Sequence, residues 1–358
     1  MKLRALACCL LVASASACLA EAPRPGDPFA AADIRAVLRK TADWQLAHPR
    51  HESWGWPNAA FYAGLMAAYR ATDEPRYLEA MTEVGEENLW RPGERYGHAD
   101  DHAIAQTYLD LFEPGGDTRR VAPFRETVDR MMASPPLWTK KHQTIDYWWS
   151  DALFMSPPAL AKLARVTGEE KYLDFMDRLW QECYELLYDE QQRLFHRDLR
   201  YRDDGKRIFW SRGNAWVLAG VARLVDELPE DRPSRGFYLR VFRALAERIA
   251  SLQPEDGLWR SSLLAPPGSA PGETSGTAFF CYALAWGVNQ GVLDLESFLP
   301  VIEKAWTALY RRVSEEGRLG WVQRPGVRPG RVRARDWEVY GTGAFLLAGS
   351  EVLKLRRP

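Results

Sequence analysis

Cysteine is scarce in this chain and badly placed for cross-links. Three of the five lie in the first twenty residues, and the other two, Cys183 and Cys281, sit in apolar helical contexts. Both read as buried free thiols, so no disulfide framework is expected and no paired-Cys metal spacing exists. Long hydrophobic runs are missing as well. Beyond the N-terminus no stretch reaches the roughly 18 apolar residues of a transmembrane helix, so no membrane span is expected. Nor is there an excess of either charge: 47 basic against 48 acidic residues are mixed without a like-charge block, which argues against a nucleic-acid partner. No Gly-x-Ser-x-Gly elbow and no Gly-rich phosphate loop occurs, so serine-elbow hydrolysis and nucleotide cradling are disfavoured. His98 and His102 have the i, i+4 spacing of a metal pair but no third ligand nearby, and no metal is expected.

The first 22 residues have an export pattern. Lys2 and Arg4 precede the apolar stretch Ala5 to Val12, and small residues run to Ala22. This predicts a signal peptide over 1–22 and an exported, periplasmic mature chain, 23–358, forming a single catalytic domain. Cys18 also permits a lipoprotein, although the usual Leu three positions earlier is absent.

What the sequence has in quantity is tryptophan, 15 in all, together with enough apolar residues to fill a large core. Tryptophan is a costly core filler, and sugar-binding clefts use it heavily because indole planes stack on the apolar faces of sugar rings. The chain also repeats one plan at a period of about 60 residues. A helix of small and apolar residues leads through a turn into an amphipathic helix beginning at an aromatic, and a Gly-containing loop follows. The small-residue helices are Phe61 to Tyr69, Leu160 to Arg165, Val217 to Ala222, Phe279 to Trp286 and Gly343 to Leu353. Their partners run from Leu78 to Leu89, Leu173 to Leu187, Phe237 to Leu252 and Phe298 to Tyr310. Shorter early pairs are expected around Ile34 to His48 and Ile104 to Phe112. Small residues let the first helix of each pair pack inside a ring while the second carries the charged face. The expected fold is therefore all-α, an (α/α)6 six-hairpin barrel, with an open helical solenoid as the alternative. Loops such as Asp256 to Arg260 and Glu316 to Trp321 should gather at one end and build a site there.

The chemistry-bearing stretch is Trp148-Trp149-Ser150-Asp151. A carboxylate between indoles loses water, which raises its pKa toward the range of an acid catalyst. The plain alternative is a helix N-cap. In His98-Ala99-Asp100-Asp101-His102, adjacent carboxylates cannot both point one way, so one should face a cavity and the other cap the helix from Ala103 to Phe112. Arg212, between Trp210 and Trp216, suits an acidic sugar because a guanidinium forks onto a carboxylate, while Gly213 allows close backbone approach. A structural Arg stacked on Trp is the other reading. His142 and His196, in polar, aromatic-rich loops, either position substrate or are simply solvated. In Pro271 to Gly276 the Ser and Thr should cap the helix starting near Phe279.

The pair Trp149-Ser150-Asp151 and Trp210-Ser211-Arg212-Gly213-Asn214-Ala215-Trp216 resembles the unsaturated glucuronyl and rhamnogalacturonyl hydrolases of glycoside hydrolase families 88 and 105, over nearly the whole mature chain. The resemblance implies a six-hairpin barrel acting on oligosaccharides that carry a 4,5-unsaturated uronic acid at the non-reducing end. It implies Asp151 as general acid/base and Asp100 as the second acid, with Asp101 taking that place if the register slips by one. Trp149, Trp210, Arg212 and Trp216 match cleft positions, and His142 and His196 match approximately. The chain departs from the family pattern at Ala105 and Ala215, where Gly is usual. The mechanism implied is hydration of the C4=C5 double bond, with no metal or organic cofactor. The expected partner is an acidic oligosaccharide, and the protein should be a monomer or weak homodimer. Competing readings are an ordinary inverting glycosidase using Asp100 and Asp151, a non-catalytic sugar-binding protein, and an epimerase relying on His142 and His196.

Overall fold

The computed structural model describes residues 26–112, 115–135, 145–200, 202–203, 206–266 and 268–355. The proposed signal, Cys18 and His142 lie outside the described residues. Helices account for nearly all regular structure. In chain order they are α1 (Ala31–Ala47), α2 (Trp56–Thr72), α3 (Pro75–Glu87), α4 (Ala99–His102), α5 (Ala105–Asp110), α6 (Ala122–Ala133), α7 (Ala152–Met155) and α8 (Pro157–Thr167). They continue with α9 (Lys171–Leu187), α10 (Ser211–Val225), α11 (Arg235–Ser251), α12 (Thr274–Asn289), α13 (Leu295–Tyr310) and α14 (Val339–Val352). Two antiparallel two-residue ladders interrupt them: Tyr188–Asp189 with Leu194–Phe195, and Arg202–Asp203 with Lys206–Arg207.

Packing order turns the list into a ring. Helix α2 contacts α5, α5 contacts α8, and the series runs through α10, α12 and α14 back to α2. These inner helices are buried on every side: each residue from Thr274 to Gly287 of α12 and from Val339 to Val352 of α14 is buried. The outer helices bury one stripe only, as α9 does with Tyr172, Phe175, Met176, Leu179, Trp180 and Cys183. This is the (α/α)6 barrel. It closes where small residues allow it, because a Cβ on Gly64 would lie 2.2 Å from the carbonyl oxygen of Gly343. A bulkier residue at either position would hold α2 and α14 apart.

Three details differ from the sequence expectation. The outer helices begin one to three residues before their first aromatic, at Pro75, Lys171, Arg235 and Leu295. Helix α3 stops at Glu87 rather than Leu89, because Leu89 and Trp90 adopt left-handed backbone angles that end a helix. The segment Ile34 to His48 is not a pair: α1 is one unbroken outer helix, packed on α14. Cys183 and Cys281 are buried free thiols.

The Gly-x-aromatic loops sit where the repeat places them. Gly257 and Gly317 both have positive φ, and a Cβ on each would strike a backbone carbonyl of an outer helix, that of Lys304 and of Lys40 respectively. Trp259 and Trp321 offer their carbonyls to the amides of Glu273 and Thr274, at the start of α12.

Candidate active site

The starts of two inner helices, α2 and α10, and the short segments α4 and α7 converge on a cavity of about 240 Å³. Trp56 opens α2, Asp100 lies in α4, Asp151 precedes α7 and Trp210 precedes α10. Together with Trp149, Met155, Arg197, Arg212 and the segment Pro325-Gly326-Val327 they line it. Helix N-termini carry partial positive charge, which suits an anionic ligand at this end of the ring.

Asp151 occupies the N-cap position of α7, yet its side chain makes no capping hydrogen bond. It accepts one long bond from Ser150 Oγ at 3.4 Å, and Arg197 Nε stands 3.3 Å from its Oδ2. Burial raises its pKa, and the Arg197 and Arg212 charges oppose that rise. The carboxylate is thus held near the site by tertiary contacts rather than spent on the helix.

Asp100 lines the same cavity. Burial pushes its pKa up to about 7, Arg95 works against the shift, and the nearby charge of Asp151 adds to it. His98 accepts the Asp100 amide at 3.3 Å and tilts over Trp149 with ring centroids 4.6 Å apart. Burial drives its imidazole down to about 3, so it stands there neutral. Asp101 does not reach the cavity. It is 1% exposed and accepts the Arg95 amide at 2.7 Å, Arg95 Nε at 3.0 Å and a further Arg95 guanidinium bond. The expectation that one of these carboxylates caps the following helix is corrected: His98 caps α4, and Asp101 fastens the turn before it.

Arg212 is buried, with its guanidinium stacked 4.4 Å from the Trp210 ring and 4.8 Å from that of Tyr340. Its terminal nitrogens donate to the carbonyls of Gln323 at 2.6 Å and Arg324 at 3.1 Å. Gln323 is pinned further by its amide to Glu273 at 3.0 Å and by Trp210 Nε1 at 3.1 Å. Arg212 therefore reads as a clamp that sets the cavity-lining loop after Gln323. Gly213 allows that packing, since a Cβ there would come 3.1 Å from Ser150 Oγ.

Two further candidates lie away from the cavity lining. Trp216 is 1% exposed and packs on Phe279 and Phe154 at 4.3 and 4.7 Å, meeting the cavity only through Trp56 at 6.0 Å. His196 is buried against Phe209 with Nε2 3.5 Å from Asp189 Oδ2. The helix cap expected from Ser or Thr in Pro271 to Gly276 belongs instead to Glu273, whose carboxylate takes the amides of Ser275 and Gly276.

The sequence reading overlooked Arg197, Trp56, Met155 and the Pro325 segment. Trp56 had a signal, since it starts a small-residue helix as Trp210 does. Arg197 had none beyond its place in His196-Arg197-Asp198.

Carboxylates, indoles and guanidinium groups gathered at one end of an (α/α)6 ring mark a glycoside hydrolase. The chain belongs to Glycosyl Hydrolase Family 88, whose profile it matches over residues 31–356. It is 40% identical over 376 residues to an unsaturated 3S-rhamnoglycuronyl hydrolase of Formosa agariphila, an alignment covering 99% of this chain and 98% of the relative. A family 88 glycosyl hydrolase from Bacteroides vulgatus superposes with a TM-score of 0.83 at 30% identity, covering 91% of this chain and 99% of that one. A solved structure named as a polysaccharide lyase superposes with a TM-score of 0.82 at 35% identity, covering 90% and 97%.

Proposed function

We propose that this hydrolase removes a 4,5-unsaturated uronic acid from the non-reducing end of oligosaccharides left by a polysaccharide lyase, with Asp151 as its general acid/base. The observation carrying this reading is Asp151 itself, buried at a helix start it does not cap, in a cavity lined by Trp149, Trp210 and two guanidinium groups. The cavity, at about 240 Å³, is smaller than the roughly 300–1,000 Å³ typical of drug-sized sites, which favours one terminal sugar over a chain threaded through. The name of the Formosa agariphila relative supports the unsaturated uronyl substrate and a rhamnose as its neighbour.

In this mechanism protonated Asp151 delivers its proton to C4 of the enol-ether double bond. The resulting carboxylate takes a proton from the water that adds at C5. The C5 hemiketal opens to a ketone, leaving C1 as a hemiacetal that expels the aglycone as an alcohol. Asp100, with its pKa pushed to about 7, is substantially protonated at neutral pH and can donate a hydrogen bond to a sugar hydroxyl or to Asp151. Trp149 and Trp210 supply stacking faces. The reading also takes Met1 to Ala22 as an export signal and the periplasm as the site of action.

The test is the ultraviolet absorbance of the conjugated double bond. Hydration consumes the alkene and absorbance falls. A lyase, the activity in the name of one structural relative, creates the alkene from a saturated polysaccharide and absorbance rises. An inverting glycosidase would release product from saturated glycosides with no change. Asp151→Asn should lower turnover roughly 10²–10⁴-fold while retaining binding. A variant with unimpaired turnover would sink the assignment.

A further inference from the structure

We propose that Arg197, held in place by Asp198, is the guanidinium that receives the carboxylate of the uronic acid, and that Arg212 is not. The inference rests on the functional reading above and deepens it.

Two arginines line the cavity, and their hydrogen bonds divide them. Arg212 gives both terminal nitrogens to the carbonyls of Gln323 and Arg324, and its two faces are covered by Trp210 and Tyr340. To fork onto a substrate it would have to release the loop that shapes the cavity. Arg197 commits only Nη1, to Asp198. Among the described residues neither Nε nor Nη2 of Arg197 makes a hydrogen bond; the Nε of Arg212 is likewise buried without an acceptor, so the two arginines differ at Nη2, which Arg212 gives to Arg324 and Arg197 keeps uncommitted. A buried donor without a hydrogen-bond acceptor costs roughly 1–3 kcal/mol, and the Nε–Nη2 edge of Arg197 has only the long 3.3 Å ion pair of Nε with Asp151, so it can turn to a ligand without giving up a hydrogen bond. That edge matches the two oxygens of a carboxylate.

The guanidinium is fixed rather than floating. The fully buried Asp198 carboxylate holds it from behind and also takes the Arg200 amide at 2.7 Å and Arg200 Nη2 at 3.0 Å. The Arg197 carbonyl accepts the Ser150 amide at 2.9 Å, tying its backbone to the residue before Asp151. Trp148 lies beneath, 4.7 Å from the Arg200 guanidinium and 5.8 Å from that of Arg197. The nearest anion to the Nε–Nη2 edge is Asp151, with Oδ2 3.3 Å from Nε. A uronate taking that edge would share the charge that opposes the rise in the Asp151 pKa. The substrate would thereby help the acid keep its proton at the moment it is needed.

The test compares one unsaturated disaccharide as the free uronic acid and as its methyl ester, which keeps the double bond and loses the charge. The parent protein should favour the acid in kcat/KM by roughly 10- to 100-fold, the value of a charge-assisted pair. In Arg197→Gln the ratio should collapse toward one, with KM for the acid rising, whatever common loss both substrates suffer through Asp151. Arg197→Lys, which keeps the charge and loses the fork, provides a second variant if the first folds poorly, and its ratio should also fall. Asp198→Asn should raise KM for the acid more than it lowers kcat. Arg212→Lys should slow both substrates and leave the ratio standing. The proposal is overturned if the ratio survives in both Arg197 variants, if Arg212→Lys is the variant that collapses it, or if the parent shows no preference for the acid. If the parent consumes neither alkene, the functional reading itself fails and takes this inference with it.

Discussion

Asp100 lines the cavity while Asp101, the next residue in the chain, is turned into the protein and gripped by Arg95. Adjacent and chemically identical, the two should respond differently to the same substitution. Asp101→Asn weakens the turn before α4 and should cost about 1–3 kcal/mol of stability with turnover nearly intact once folded. Asp100→Asn should leave the fold in place and lower turnover roughly tenfold or more. Denaturant melts and alkene consumption measured on both variants would check this; a catalytic defect confined to Asp101→Asn would reverse the assignment.

The pH dependence of stability should carry the mark of Asp100. Its pKa is raised by burial from an ordinary 3.8 to about 7. Between those values the folded chain holds a proton that the unfolded chain has lost, so this group's contribution to stability declines as pH rises from about 4 through 7. Asp100→Asn removes the penalty. Its melting temperature relative to the parent should therefore be higher at pH 8 than at pH 4, by on the order of 2 °C because the side chain is still 22% exposed. An equal difference at both pH values would mean that Asp100 is already ionised at pH 4.

Ring closure predicts a contrast between glycines. Gly64→Ala places a methyl group 2.2 Å from the Gly343 carbonyl oxygen, and Gly343→Ala places one 2.2 Å from that of Ala60. Either should cost several kcal/mol, on the order of a badly overpacked core or more, or prevent folding. At Gly236, in the exposed first turn of α11, an added Cβ meets nothing closer than 3.7 Å. Ala there should be neutral or stabilise by roughly 0.5 kcal/mol. Thermal melts of the three variants would decide.

Lys162 is 4% exposed, with Nζ 2.7 Å from Asp110 and 2.6 Å from Glu227. Lys162→Met leaves Glu227 to Arg165 at 2.6 Å and Asp110 to the more distant Arg70 and Arg223 at 3.5 and 3.9 Å, and should cost roughly 1–3 kcal/mol, with the catalytic pH profile unchanged because none of the three lines the cavity. A shifted profile would show that this cluster is coupled to the site.

How far each residue could be read from the chain follows from the range of the forces acting on it. The ring was legible because it is built by periodicity: small-residue stretches recurring at a fixed interval can pack only as inner helices, and their charged partners only outside. Gly213 beside Trp210, and the indoles around Asp151, were legible for the same local reason. Helix ends were less so, since Pro75 and the left-handed pair Leu89 and Trp90 fix them through single backbone angles.

The amino-acid sequence by itself determined a run of helix hairpins, read as a closed barrel with an open solenoid as the alternative, and a set of acids and indoles at its loop ends. The tertiary structure alone decided how those side chains are used. It turned Asp100 inward to the cavity and gave Asp101 to Arg95. It spent Arg212 on the carbonyls of a loop more than a hundred residues away, and brought Arg197 to Asp151 across 46 residues. Those choices depend on hydrogen bonds between distant segments, and no local pattern encodes which of two like-charged neighbours will find its partner first.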